Sequence, residues 1–208
     1  MENESDRPTL LYIADPMCSW CYGFAPQMDA LLTGLDGIVD LKLVMGGLRP
    51  FNTETMAKLG NMLRTHWHHV AEASGQPFNH EIFDDHSFVY DTEPPSRAVL
   101  VMRQLQPESE YPFFKRIQEA FYRANQNTND ERTYLLLAKQ FGVDEDAFSA
   151  AYNATETRNA TLDEFHFAQR LGVRSFPTTV LLNNGRYTLL ARGYALADQI
   201  EAAVRQLI

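Results

Sequence analysis

The stretch Thr9-Leu10-Leu11-Tyr12-Ile13-Ala14-Asp15-Pro16-Met17-Cys18-Ser19-Trp20-Cys21-Tyr22-Gly23-Phe24 decides the fold. Its first six residues form a short apolar run that reads as a buried strand. Asp15-Pro16 then turns the chain, because proline cannot continue a central strand. A helix is predicted from about Cys18 to Thr33, with Phe24, Met28, Leu31 and Leu32 near one face. Pro26 lies inside that span and is expected to kink the helix or to mark a late start. Cys18 and Cys21 thus stand just past a strand, where a helix opens.

Outward from this stretch, Gly34 and Gly37 end the helix, and Ile38–Met45 alternates as a strand before Gly46-Gly47. Every strong pattern from Thr53 to Asn159 is helical. Met56, Leu59, Leu63 and Val70 share a face before Gly75. Pro94-Pro95-Ser96 precedes a helix over Ala98–Leu105, and Pro112 opens another through Phe114, Ile117 and Phe121. Asp130 and Asp144 are candidate caps for two more. The stretch Gly75–Asp91 has no clear pattern. Thr161-x-x-Glu164 reads as a capping box before Phe165 and Leu171, with Gly172 past the helix end. Thr178–Leu182 is strand-like, and Asn184-Gly185 is a hairpin turn into Tyr187–Ala191. Leu196, Ile200, Val204 and Leu207 form a C-terminal amphipathic helix. The chain therefore divides into a disordered polar tail (1–8), an α/β domain of two pieces (9–52 and 160–208), and an inserted helical domain (53–159). Without the insertion the order is βαβ followed by αββα.

The 208 residues carry a formal charge of −9, from 27 acidic and 18 basic residues. An acidic surface repels phosphate backbones and no dense Lys/Arg run is present, so no nucleic-acid partner is expected. The apolar runs are too short to span a bilayer, and no membrane partner is expected. The acidic start, Met1-Glu2-Asn3-Glu4, is unlike a secretory signal, which points to a cytoplasmic protein. A chain this long also needs no disulfide scaffold to hold its core.

The two cysteines, three apart, are better read as reactive or metal-binding than as a structural crosslink. A helix N-terminus offers unpaired N–H groups and partial positive charge that stabilise a thiolate, the attacking species in disulfide exchange. Cys18 is nearest the exposed end and is the candidate nucleophile. Cys21, one turn further in, can resolve a mixed disulfide. Structural zinc usually takes four N or S ligands and there is no second CxxC; His66, His68 and His69 fall on an inserted helix, far away in the pattern. A second landmark is Phe176-Pro177 before the late strand. Pro177 is either a simple loop-to-strand proline or a cis-proline facing the cysteines, leaving the Phe176 backbone free to pair with an extended peptide. The CxxC favours the second.

These landmarks, in this order around a helical insertion, resemble the DsbA-like branch of the thioredoxin superfamily. Asp15-Pro16-Met17-Cys18-Ser19-Trp20-Cys21-Tyr22-Gly23-Phe24 is especially similar to FrnE-like oxidoreductases, often described as predicted protein-disulfide isomerases, as is Gly46-Gly47-Leu48-Arg49-Pro50. The resemblance spans Leu10 to Leu207. It implies a thioredoxin-like α/β fold with a large all-helical insertion and thiol–disulfide exchange on protein or peptide substrates. It further implies Cys18 as attacking residue, Cys21 as resolving residue, Pro177 as cis-proline, and Trp20 and Phe176 beside them in a groove. No bound cofactor or metal is expected, only an external thiol such as glutathione or a thioredoxin system to reset the pair. Ser19-Trp20 differs from the Pro-His of DsbA and places no positive charge beside Cys18, so strongly oxidising behaviour is not implied. The extra cysteine pair of some FrnE-like proteins is absent.

Ser19 and Asp15 are the candidate redox-tuning residues. Asp15 either relays protons to a thiol or caps the turn beside Pro16, and Met17 is either a groove contact or a core filler. Two other readings stay open. Related chromene-carboxylate isomerases and kappa-type glutathione transferases act on small molecules with glutathione, but usually carry serine where Cys18 stands. A non-catalytic adaptor or metal-binding module is the third.

Overall fold

Along β1 (Thr9–Ala14) every side chain but the first is buried, and alternate residues enter different cores. Leu10, Tyr12 and Ala14 join one apolar cluster, Leu11 and Ile13 another. A strand covered on both faces reads as a continuous apolar run, which is what the sequence shows. The computed structural model describes residues 7–208. In it β1 lies inside a four-stranded sheet of order β2-β1-β3-β4, with β2 (Asp40–Met45), β3 (Thr178–Asn183) and β4 (Arg186–Arg192). β2 runs parallel to β1, with Thr9 opposite Asp40; β3 runs antiparallel, with Ile13 opposite Thr178. Asn184 and Gly185 take φ of 51° and 74°, as the tight β3–β4 hairpin requires.

The strand expected from Ile38 starts at Asp40. The N–H groups of Ile38 and Val39 both donate to the Leu35 carbonyl, at 3.0 and 3.3 Å, and so belong to the turn that ends the preceding helix. That helix, α1 (Ser19–Gly34), starts well before Pro26, so the proline marks no late start, and the helix runs on past it as expected. Proline lacks the N–H that would reach the Tyr22 carbonyl one turn back. The Gln76 side chain supplies a substitute donor, Nε2 to Tyr22 O at 3.3 Å, so the helix continues.

The inserted segment comprises α2 (Met56–Ser74), α3 (Glu93–Leu105), α4 (Glu110–Tyr122), α5 (Glu131–Lys139) and α6 (Glu145–Asn153). Asp130 and Asp144 cap α5 and α6 as expected, accepting from the N–H groups of Arg132 and Ala147 at 2.9 Å each. α3 starts at Glu93, ahead of its expected position, with both prolines in the first turn, where a missing N–H costs little. The patternless stretch after Gly75 holds a 3-10 turn, His80–Asp84, and one antiparallel bridge between Thr55 and Val89.

The capping box expected at Thr161 and Glu164 is not formed. α7 (Thr155–Arg170) starts six residues before Thr161, so both residues lie inside a helix that crosses the expected 159/160 boundary. Thr161 Oγ1 donates to the Thr157 carbonyl at 2.8 Å. Glu164 accepts the Met45 N–H at 2.8 Å and pairs with Arg103, tying α7 to β2 and α3. Local spacing alone could not reveal those distant partners. α7 covers the Leu11–Ile13 face of the sheet, through Ala168. α1 and α8 (Ala197–Leu207) lie on the other, where Gln27 Oε1 accepts the Ala197 N–H at 2.9 Å. Of the tail expected to be disordered, residues 1–6 lie outside the described residues. Arg7 pairs with Asp40, and the Pro8 carbonyl accepts the Asp40 N–H at 2.9 Å.

The Gln76 contact makes a test of this packing. Gln76→Ala is expected to lower unfolding free energy by about 1 kcal/mol in urea titrations. The loss should shrink in a Pro26→Ala background, where the helix supplies its own donor to Tyr22.

Candidate active site

Cys18 is the residue before the first turn of α1, in extended conformation, and its carbonyl accepts the Tyr22 N–H at 3.0 Å. No side chain caps this helix and no acidic residue occupies its first turn. The Cys18 N–H returns to the Asp15 carbonyl at 3.1 Å, closing a tight turn behind Pro16. The Asp15 carboxylate accepts two more backbone donors, Met17 N–H at 2.9 Å and Leu48 N–H at 2.7 Å. Of its two expected roles, capping the turn is the one the hydrogen bonds display, and the bond to Leu48 also joins the Gly46-Gly47-Leu48 segment to the cysteine loop. Asp15 is fully buried. Burial pushes its carboxyl up from 3.8 to about 6, while the N–H groups of Leu48 and Met17 pull the other way.

The two cysteines are free thiols with different access. Cys18 keeps 5% exposure and Cys21 none. Burial, then the neighbouring Cys18 thiol, pushes Cys21 well above the ordinary thiol range. Only Cys18 can be met from outside.

The Phe176–Pro177 peptide is cis, and the Cys18 thiol donates to the Phe176 carbonyl at 3.5 Å across 158 residues of chain. The Phe176 ring lies on Gly46, where an added Cβ would come within 2.0 Å of a ring carbon. On the other side of Pro177, its carbonyl accepts the Gly193 N–H at 2.7 Å, which ties it to the end of β4. Trp20 is half-buried, its ring 6.0 Å from that of Tyr194. Asp15, Cys18, Cys21, Phe176 and Pro177 are thus brought to one end of the sheet, with Ser19 and Trp20 at its partly exposed rim. Met17, whose placement the sequence left open, is a core residue: it is fully buried, and its carbonyl accepts from the Tyr90 hydroxyl.

His66, His68 and His69 are exposed on α2, where His68 stacks on His80 with ring centroids 4.7 Å apart. Among the described residues no three His, Cys, Asp or Glu side chains gather closely enough to hold a metal ion. Sequence reasoning missed Tyr12, Tyr194 and the role of Gly46. Tyr12 was within reach: alternation along β1 puts it on the face of Leu10 and Ala14, where the cysteines also pack. Tyr194 and Gly46 had no local signal, since their partners are distant in the chain.

A family profile described as Thioredoxin matches residues 11–198. The chain belongs to the thioredoxin family. Within it the chain is a DsbA-like oxidoreductase, with the α/β fold and helical insertion of that group. A Nitrosomonas europaea protein, provisionally described as a protein disulfide isomerase, is 32% identical with TM-score 0.90, covering 96% of this chain and 97% of that one. The cytosolic disulfide reductase DsbM of Pseudomonas aeruginosa is 30% identical with TM-score 0.79, covering 96% and 98%. A "probable DsbA oxidoreductase" from Streptomyces coelicolor, at 14% identity and TM-score 0.76, covers 96% and 89% and shares the fold. Comparison with curated proteins finds no match.

Two outcomes are expected of this thioredoxin-family site. Gly46→Ala forces the Phe176 ring off its seat and should slow turnover of a peptide disulfide about tenfold or more, while alkylation of Cys18 by a small reagent changes less. Asp15 holds its proton more tightly folded than unfolded, so its contribution is complete below about pH 4 and is lost as pH rises through about 6. Unfolding free energy should therefore fall over that window by up to roughly 3 kcal/mol more in the native protein than in Asp15→Asn. Urea titrations at intervals of pH measure the difference.

Proposed function

We propose that this chain exchanges thiols with the disulfides of protein or peptide substrates, with Cys18 attacking and Cys21 resolving, in a reducing cytoplasm. The observation that carries the reading is the meeting of the Cys18 sulfur with the Phe176 carbonyl, 3.5 Å apart beside Pro177, with Cys21 buried behind. An extended substrate can pair with the backbone at Phe176 and so present its disulfide to Cys18. Trp20 and Phe176, both half-buried, flank the approach.

The anionic sulfur of Cys18 attacks one sulfur of the substrate disulfide. A Cys18–substrate bond forms, the substrate bond breaks, and the other substrate sulfur leaves as a thiolate that takes up a proton. Cys21 then loses its proton and attacks Cys18, forming the Cys18–Cys21 disulfide and expelling the second substrate thiolate. Two electrons pass from the dithiol to the substrate. The Asp15 carboxylate, largely ionised at neutral pH and close enough for its charge to be felt at Cys21, is a candidate proton acceptor for that step.

Ser19-Trp20 brings no cation to the pair, which favours reduction or isomerisation over strong oxidation. A cytosol poised at roughly −220 to −320 mV would keep the pair as the dithiol between turnovers. DsbM is described as a cytosolic disulfide reductase and has been solved with glutathione. That supports glutathione as the external thiol that resets the pair here. Among the described residues no helix is long and apolar enough to cross a membrane.

The test is a pair of variants. Cys18→Ser is expected to abolish reduction of a peptide disulfide, and Cys21→Ser to accumulate a covalent adduct at Cys18 visible by non-reducing mass spectrometry. Undiminished turnover by Cys18→Ser would refute the reading. An equilibrium titration of the native pair against glutathione then separates reductant from isomerase.

A further inference from the structure

Cys21 must become anionic in the least favourable place in the site. It is fully enclosed, its thiol is pushed up by burial, and both Cys18 and the charge on Asp15 push the same way. A sulfur so placed can act as a nucleophile only if donors face it. One is the Asp15 main chain, whose hydrogen bonding pulls the Cys21 thiol down against that burial. The second candidate is the Tyr12 hydroxyl.

Tyr12 sits in the middle of β1 and is 1% exposed. Its ring is held on several sides, 5.8 Å from Phe24 of α1 and edge-on to Tyr111 and Phe114 of α4 at 6.4 and 6.0 Å. It packs in the same apolar cluster as Cys21, and its hydroxyl is buried and makes no hydrogen bond to any described residue, while the Cys21 thiol bears on its proton. The other titratable groups that bear on it are Cys18 and Tyr111. Tyr111 is committed elsewhere, donating its own hydroxyl to Asp29 at 3.1 Å. The Asp15 carboxylate is likewise engaged, by the N–H groups of Met17 and Leu48. Tyr12 therefore holds a buried donor without an acceptor in the cluster that encloses Cys21. An unpaired buried hydroxyl is a burden on the fold, and phenylalanine would fill the same space without it.

We propose that Tyr12 is a positioning residue for Cys21, its hydroxyl donating a hydrogen bond to the Cys21 sulfur as that sulfur becomes anionic and holding it for attack on the Cys18 adduct. The inference rests on the reading of Cys18 as attacking and Cys21 as resolving residue. The proton that leaves Cys21 passes by way of the Asp15 carboxylate to the departing substrate thiolate. Tyr12 keeps its own. The Cys18–Cys21 bond forms, the Cys18–substrate bond breaks, and the electron count is that of ordinary disulfide exchange. A hydrogen bond to a charged acceptor is stronger than one to a neutral thiol, so the contribution grows as the step proceeds.

Tyr12→Phe removes one oxygen and keeps the ring contacts. Reduced protein is mixed rapidly with a disulfide peptide, quenched in acid at intervals, and the Cys18 adduct and the Cys18–Cys21 disulfide are counted by mass spectrometry across pH. The adduct is expected to form at the native rate and with the native pH profile. Its conversion to the internal disulfide is expected to slow about tenfold or more, with its pH profile displaced upward. Conversion at the native rate and pH dependence would overturn the role of Tyr12 and leave the functional reading intact. Equal slowing of both steps would overturn it too, because damaged packing acts on both. If Cys21→Ser forms no Cys18 adduct under the same conditions, the functional reading falls and the role of Tyr12 with it.

Discussion

The cysteine end of this molecule hangs on two N–H groups that point at one buried carboxylate. Asp15 accepts from Met17, just before Cys18, and from Leu48, just after β2, and so holds two loops from different strands at one point. Phe176 completes the junction from a third strand, its ring on Gly46 and its carbonyl against Cys18. A carboxylate with no access to water is an expensive choice for a structural pin. Its main-chain donors recover only part of the cost, and its proton affinity is raised in consequence. The same group is therefore both a fastening and a titratable neighbour of the buried Cys21 thiol.

In the proposed chemistry the order of the two cysteines follows from their depth. One turn of helix separates them, and that turn carries the second sulfur from the rim into the core. Cys18 meets solvent and the Phe176 carbonyl. Cys21 meets the strand beneath it. Only the first is open to a substrate sulfur, so under the proposed function packing, and no difference between the residues themselves, divides attack from release.

The helical insertion is not a separate body beside this site. Its second apolar cluster gathers Met56, Leu59, Leu63 and Trp67 of α2 with Phe121 and Tyr122 of α4, and takes in Met17 and Tyr22 from either side of the cysteine pair. The Tyr22 ring stacks on Tyr122 with centroids 4.8 Å apart, and its hydroxyl donates to the Pro77 carbonyl at 2.9 Å. Gln76 from the same connection mends the gap that Pro26 leaves in α1. Displacing the insertion would disturb the first two turns of the helix that carries both thiols.

The sequence by itself determined the elements whose signals are local. The apolar run of β1, the cysteine pair opening a helix, the caps at Asp130 and Asp144 and the Asn184-Gly185 turn each depend on neighbours within a few residues, and all were legible. So was the joining of Cys18 to Phe176-Pro177, though there the CxxC together with the family resemblance carried it, because nothing local links residues 158 apart. Where an expectation failed, a distant partner had intervened. Glu164, expected to cap a helix, is bonded instead to β2 and Arg103. Tertiary structure alone decided how completely Cys21 is enclosed, the burial that lifts Asp15, and the unpaired hydroxyl of Tyr12. Those properties are set by what surrounds a side chain in three dimensions, and spacing along the chain does not encode it.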